Sequence, residues 1–401
     1  MNIFKKAYCR AFQIAFRAAL PILPYREPEI ISEISGIVSV LSEKNIGSVL
    51  LVTDAGLKSM GATDELEGLL SENDIECFVY HKTKANPTVD NVEEAVELYN
   101  KNGCECIIAF GGGSPMDCAK AVGARIAYPQ KSLGKMKGIL KICRKLPMLI
   151  AIPTTAGTGS EVTLTAVITD SNTKHKYTMN SFPLIPAYAV LDPKVTRSLP
   201  PHLTATTGVD ALTHAVEAYI GNSTSRETRE KALDAVSLIF GNIERAYENG
   251  DDLEARANML KAAYLAGVAF SKSYVGYIHA VAHSLGGMYN TPHGLANSVL
   301  MPYVLEAYGE CAHKKLHRLA VAAGVASEKD SHEAGARKFI DAIREMKARM
   351  GIPKKIEGIK KEDIPEMARH ADREANPLYP VPKLMNAKEL RKFYYCLAEW
   401  S

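Results

Sequence analysis

Residues 104–110 read CECIIAF, an apolar run, followed at once by GGGSP and then by MDCAKAVGARIA, which carries a helical period. A strand that is apolar on both faces must be covered on both faces. The arrangement that does this is a parallel sheet with helices on either side. The segments before and after repeat the alternation. GSVLLVTD (47–54), IECFVYH (75–81) and PMLIAIPTT (147–155) read as strands. EIISEISGIVSVLSEKN (29–45), TDELEGLLSEND (63–74, capped by Thr63 or Asp64) and TVDNVEEAVELYNKNG (88–103, ending at Gly103) read as helices. This succession predicts a doubly wound α/β domain. Beyond YAVLDPKVTRSLPP (188–201) the rhythm changes, and every segment to the C-terminus has a 3.6-residue period. The prediction is therefore an N-terminal α/β domain over 29–195 and an all-helical domain over 196–401, parted near Pro193 and Pro200.

The first 28 residues stand apart as an amphipathic extension. Phe4, Ala7, Tyr8, Ala11, Ile14, Ala15 and Ala18 lie at helical spacing, with Lys5, Lys6, Arg10 and Arg17 between them. The expectation is that this helix packs on the folded protein or on a second subunit, with attachment to a membrane surface the less favoured reading. No apolar run is long enough to span a bilayer. A net charge of +3 gives no reason to expect nucleic acid as a partner. Eight cysteines without a Cys-x-x-Cys pair are expected to be reduced thiols in the cytoplasm.

Two glycine- and hydroxyl-rich loops follow buried strands. Gly111, Gly112, Gly113 and Ser114 join a strand to a helix, where close backbone approach and a helix N-terminus suit a phosphate. Residues 153–161, PTTAGTGSE, offer Thr154, Thr155, Thr158 and Ser160. The C-terminal ends of parallel strands are where doubly wound sheets bind ligands. Asp54, at the end of another strand, suits either a ribose or the N-cap of the following helix, and taken alone the cap is the simpler reading.

The helical half holds a different cluster. In GVDALTHAVEAY, Asp210 and His214 are four apart, and in HAVAHSLGGMYNTPHG so are His279 and His283, with His293 following. The i, i+4 spacing stacks each pair on one helix face. One carboxylate and four imidazoles suit divalent iron, zinc, cobalt or nickel. Five candidates exceed the four ligands that leave a position for substrate, and spacing alone does not choose among them.

GGGSPMDCAKA, PTTAGTGSEVT, LDP…TGVDALTHAVEAY and HAVAHSLGGMYNTPHGLAN together resemble the iron-containing (group III) alcohol dehydrogenases, from about residue 29 to the C-terminus. The resemblance implies the dehydroquinate synthase-like fold of that family, an α/β nucleotide domain followed by a helical metal domain. It implies hydride transfer between a primary alcohol or aldehyde and NAD, with a divalent metal, Fe2+ before Zn2+, as Lewis acid. By motif the metal ligands fall on Asp210, His214, His279 and His293. His283 stands aside near nicotinamide and substrate as the catalytic, proton-handling residue. The cofactor-binding positions fall on Asp54 (favouring NAD over NADP), Asn86, Gly112, Gly113, Ser114, Asp117, Thr154, Thr155, Thr158, Thr165 and Lys176. Thr165 departs from the amide of some relatives. A homodimer is expected. Alternatives are a glycerol dehydrogenase-like polyol oxidoreductase, a dehydroquinate synthase-like lyase, or a non-catalytic metal- or nucleotide-binding protein. The lyase needs a basic pocket, and the active-site stretches hold no Lys or Arg. Tyr274, Tyr277, Met288 and Tyr289 are candidates for a small apolar substrate pocket or for core. His175 and His202 match no ligand position and are expected in exposed loops.

Overall fold

The computed structural model describes residues 1–171 and 176–399. His175 lies outside the described residues. The chain divides into two compact units. One is Pro24–Leu199. The other joins Met1–Leu23 to Pro200–Ser401.

The Pro24–Leu199 unit holds strands β1 (Glu29–Ile31), β2 (Ser48–Val52), β3 (Glu76–Tyr80), β4 (Cys106–Gly111), β5 (Gly138–Ile139), β6 (Met148–Pro153), β7 (Thr165–Thr169), β8 (Lys176–Asn180) and β9 (Tyr188–Val190). Its main sheet is parallel throughout, in the order β1-β9-β6-β4-β2-β3. The run that reads as apolar on both faces is β4. Ile107 and Ala109 enter one core, with Leu50 and Val52 of β2. Cys106, Ile108 and Phe110 enter the other, with Val49 and Leu51. Helices α2 (Gly36–Glu43) and α4 (Asp64–Glu72) supply the second core. α5 (Val89–Lys101) and α6 (Gly113–Ala127) supply the first. Between α2 and α4 in the chain lies the short α3 (Ala55–Ser59).

Two readings of this half change. The stretch 29–45 is not helical throughout. Glu29–Ile31 pairs with β9 in parallel register, because β-branched Ile30 and Ile31 extend the sheet edge, and α2 starts only at Gly36. β7 and β8 form an antiparallel pair that β5 joins, a small second sheet absent from the sequence reading.

The other unit is helical. α1 (Ile3–Ala19) belongs to it, with α7 (Pro201–Ile220), α8 (Arg226–Glu248), α9 (Leu253–Ser273), α10 (Tyr277–Tyr289), α11 (His293–Tyr308), α12 (Glu310–Ala322), α13 (His332–Arg349), α14 (Ile364–Ala375) and α15 (Ala387–Leu397). No helix among the described residues is long and apolar enough to cross a membrane.

α1 packs, but with the face opposite to its apolar stripe. Cys9 and Gln13 are buried, while Phe4, Tyr8 and Ile14 are exposed. The contact is polar and specific. Gln13 Nε2 donates to the carbonyls of Pro377 and Tyr379, and Arg10 donates to those of Val381 and Pro382. Phe16 meets Tyr274 edge-on at 4.9 Å. Carbonyls paired by α1 in a half-buried setting lose their donors if it is removed, at roughly 1–3 kcal/mol for each group left unsatisfied. Deleting residues 2–22 should therefore lower Tm by about 4 °C or more, as scanning calorimetry would show. An unchanged Tm would mean that these bonds add nothing to stability.

Candidate metal and nucleotide sites

Asp210 and His214 lie one turn apart on α7, His279 near the start of α10, and His293 at the start of α11. One ligand atom from each lies within 4.8 Å of all the others. Close packing of the helices brings them together. A Cβ at Gly294 would stand 2.7 Å from the carbonyl oxygen of Thr206, so only glycine after His293 lets α11 begin against α7. The His279 ring lies 4.6 Å from that of His214 and 5.3 Å from that of His293.

The electrostatics suit a cation. Burial, then the neighbouring imidazoles His214, His293 and His283, hold His279 well below its ordinary pKa, so it is a neutral donor. Burial raises the Asp210 carboxyl. Asn297, four residues after His293, donates to Asp210 Oδ1 at 2.6 Å and lies 3.0 Å from His293 Nε2. His279 Nδ1 is 2.7 Å from Glu217 Oε2, and its Nε2 is buried with no hydrogen-bond partner. A buried lone pair without a donor is costly unless a ligand takes it. Three imidazoles and one carboxylate around this atom fit Fe2+ or Zn2+.

Glu217 escaped the sequence reading. It also accepts from the backbone N–H groups of Gly276 and Ile278, at 2.7 and 2.8 Å, and so caps the start of α10. Burial pushes its carboxyl up to about 8, opposed by these donors. Its signal was present, since Asp210, His214 and Glu217 share one face of one helix.

His283 lies outside the four-residue group. Its ring is 5.2 Å from that of His293, and its Nδ1 is 2.6 Å from Glu374 Oε1, which also accepts from Tyr379 Oη at 2.7 Å. No sequence spacing links Glu374 to His283. Of the candidate pocket residues, Tyr277 is core: it is fully buried, and its hydroxyl donates to Asn376 and accepts from the N–H of Met385. Tyr289 Oη donates to Asp363, Met288 is exposed, and Tyr274 packs on Phe16. His202 is exposed in the first turn of α7.

In the α/β unit the loops after β2, β4 and β6 emerge from adjacent interior strands at the C-terminal end of the sheet. The order reverses between β2 and β4, the switch point where such sheets take ligands. The N-cap of α6 is Gly112, which has no side chain to cap with, and this leaves the first-turn N–H groups for an anion. A Cβ at Gly113 would meet the Thr158 side chain at 3.2 Å, and one at Gly112 would meet Thr155 at 3.4 Å. Thr155 Oγ1 is buried without a hydrogen-bond partner, and Thr154 is buried beside it. Ser114 Oγ donates to the Ala85 carbonyl, beside Asn86, whose Oδ1 accepts from Lys176 at 2.9 Å. Asp54 caps α3 by accepting from Leu57 N through Oδ1.

Asp117 and Thr165 have internal partners. Asp117 accepts from Ser160 Oγ and Val167 N, and burial pushes its carboxyl up to about 6. Thr165 Oγ1 bonds Asn180. Lys120, also absent from the sequence reading, is fully buried. Its ammonium donates to Ser160, Thr163 and the Thr165 carbonyl, fastening α6 to the segment after the threonine loop.

Comparison with known proteins agrees across both units. The family model for iron-containing alcohol dehydrogenase matches residues 27–193, and the C-terminal model of the Fe-containing alcohol dehydrogenase family matches 204–396. The chain is 37% identical over 383 residues to 1,3-propanediol dehydrogenase of Citrobacter freundii, covering 94% of this chain and 98% of the relative. It is 38% identical over 339 residues to alcohol dehydrogenase 4 of Saccharomyces cerevisiae, covering 84% and 87%. The crystal structure of a 1,3-propanediol oxidoreductase superposes with a TM-score of 0.88 at 35% identity, over 92% of this chain and 98% of that one. Matches that run almost end to end, and that include each stretch holding the four clustered side chains, place the chain in the iron-containing alcohol dehydrogenase family, a family of oxidoreductases that uses iron and NAD.

Proposed function

We propose that Asp210, His214, His279 and His293 hold the divalent metal of this alcohol dehydrogenase, iron before zinc, and that His283 exchanges the proton of the substrate hydroxyl. The carrying observation is the buried His279 Nε2, without a partner in a cluster of four ligand atoms. When bound, the metal supplies Lewis-acid polarisation of the alcohol or aldehyde oxygen. Glu217 fixes the His279 tautomer by taking its Nδ1 proton in a hydrogen bond. Glu374 bonds Nδ1 of His283 and so sets the orientation in which the ring exchanges a proton.

For the cofactor, Gly112, Gly113, Ser114 and the first turn of α6 cradle the NAD pyrophosphate, and Thr154, Thr155 and Thr158 supply hydroxyls beside it. Asn86 and Lys176 act as a bonded pair. Asp117 and Thr165 support the site through internal bonds. Asp54 uses Oδ1 as a helix cap, and Oδ2 remains to accept from the adenosine ribose. The substrate is a small primary alcohol or its aldehyde, in keeping with relatives named for 1,3-propanediol and methanol. The homodimer and the cytoplasmic location belong to the same proposal, and eight free cysteines support a reducing compartment.

The test is anaerobic loading with Fe2+ or Zn2+, followed by NAD and NADP reduction with a panel of primary alcohols. Fe2+-dependent NAD reduction is expected. Cofactor binding without turnover on any alcohol or aldehyde would count against it. Asp54→Gly should raise the ratio of NADP to NAD efficiency on the order of tenfold, since it removes a carboxylate that repels a 2′-phosphate. An unchanged ratio would show that Asp54 serves only as a cap.

A further inference from the structure

The outward face of α1 is left uncovered. Phe4 is 82% exposed and Ile14 68%, and Ile3 and Tyr8 lie on the same face. The helix holds Lys5, Lys6, Arg10 and Arg17 and no acidic side chain. On a 100° helical wheel Lys5, paired with Asp372 at 3.2 Å, flanks the apolar face on one side, and Arg10 and Arg17 flank it on the other.

Behind that second flank is a cavity of about 390 Å³ lined by Arg10, Ile14 and Arg17 of α1, by Thr224, by Arg229 of α8 and by Lys315 of α12. Four cationic side chains meet there, and no carboxylate lines it. Arg10 and Lys315 are held by backbone carbonyls, and Arg229 by the Thr224 hydroxyl, all neutral acceptors. Burial, then the charges of Arg229, Arg17 and Arg10, push Lys315 down to about 8. Cations crowded without a counter-charge are a receptor for an anion. Ile14 belongs to both features, so the cationic cavity opens beside the apolar face.

We propose that α1 and this cavity form a docking site for an anionic phospholipid surface, the apolar face entering the acyl boundary and the cavity taking a phosphate headgroup. Charge complementarity selects this occupant. A second copy meeting the same face across a two-fold axis would bring another unpaired Arg17 to a surface already crowded with cations, with no acid on α1 to pair it. A lipid surface supplies both what the apolar residues need and what the cations lack. The helix stays folded on its own unit through Cys9, Gln13 and Arg10, so docking needs no rearrangement.

The experiment is sedimentation of the full chain with phosphatidylcholine vesicles, with and without phosphatidylglycerol. Binding to the anionic vesicles alone is expected, weakening as salt rises. Phe4→Asp with Ile14→Asp should abolish it, and Arg17→Glu with Arg229→Glu should weaken it more than about tenfold. Alcohol dehydrogenase activity in solution and Tm should match the parent for both pairs, which separates docking from folding. Failure of the full chain to bind, or equal binding to neutral vesicles, overturns the proposal. So does stabilisation by inorganic phosphate that Arg229→Glu removes, when vesicles do not bind, because the cavity then serves a free anion. A changed sedimentation-velocity mass for the Phe4/Ile14 pair, without a change in vesicle binding, assigns the face to another copy of the chain.

Discussion

His279→Ala should be purified without stoichiometric metal and without measurable turnover, whereas His283→Ala should keep its metal and lose about 10²-fold or more in kcat. The two histidines are one turn apart on α10, and spacing gives no means of telling them apart. Their environments do. His279 is buried, neutral, and tied through Nδ1 to Glu217, so that Nε2 faces Asp210, His214 and His293. His283 is exposed at the edge of the cluster and tied to Glu374. Removing a ligand from a four-ligand set takes both affinity and geometry from the ion. Removing a group that moves a proton leaves the ion in place. Metal content of both purified variants, measured beside kcat, distinguishes the two. Metal-free His283→Ala with loaded His279→Ala would reverse the assignment.

Glu217→Ala should weaken metal binding about 10- to 100-fold and lower Tm. Glu217 accepts from the backbone N–H groups of Gly276 and Ile278 and lies 2.7 Å from Nδ1 of the His279 ring, and alanine leaves all three buried groups without this partner. Each such loss costs about 1–3 kcal/mol before water or local rearrangement relieves it. Glu217→Gln keeps one acceptor oxygen and turns an NH2 toward the remaining donors, so it should fall between the parent and alanine in both measurements. A merely structural role would lower Tm in Glu217→Ala while leaving the affinity for Zn2+ at the parent's value in a chelator competition, and that result would remove Glu217 from the metal site.

What could be read in the sequence was what depends on periodicity. β4 is apolar on both faces because both are covered, and the run CECIIAF states this directly. Asp210 and His214 advertise themselves as polar residues on one face of an apolar helix. Glu217 does so as well, but an acid near the end of a helix is so ordinary on a surface that only its burial marks it out. Glu374 carries no signal, since its relation to His283 arises from the packing of α10 on α14. β1 was hidden because Ile30 and Ile31 fit a helix as well as a strand, and pairing with β9 decides between them. Which face of α1 is buried was not legible for a related reason. Hydrophobicity picks the buried side of a helix when apolar contact dominates, but here Arg10 and Gln13 are drawn inward by carbonyls that need donors.

The partners of α1 come very late in the chain. Gln13 bonds Pro377, 364 residues further on. At a synthesis rate of ~5–20 residues per second, about 20–70 s pass between the emergence of the helix and that of its acceptors. The Pro24–Leu199 unit is made within that interval and depends on nothing that follows it for its two cores. Until residues 377–382 are made, the polar face of this basic, amphipathic helix has none of the carbonyls that hold it in the finished chain. Completion of the chain draws Cys9 and Gln13 into the finished helical unit.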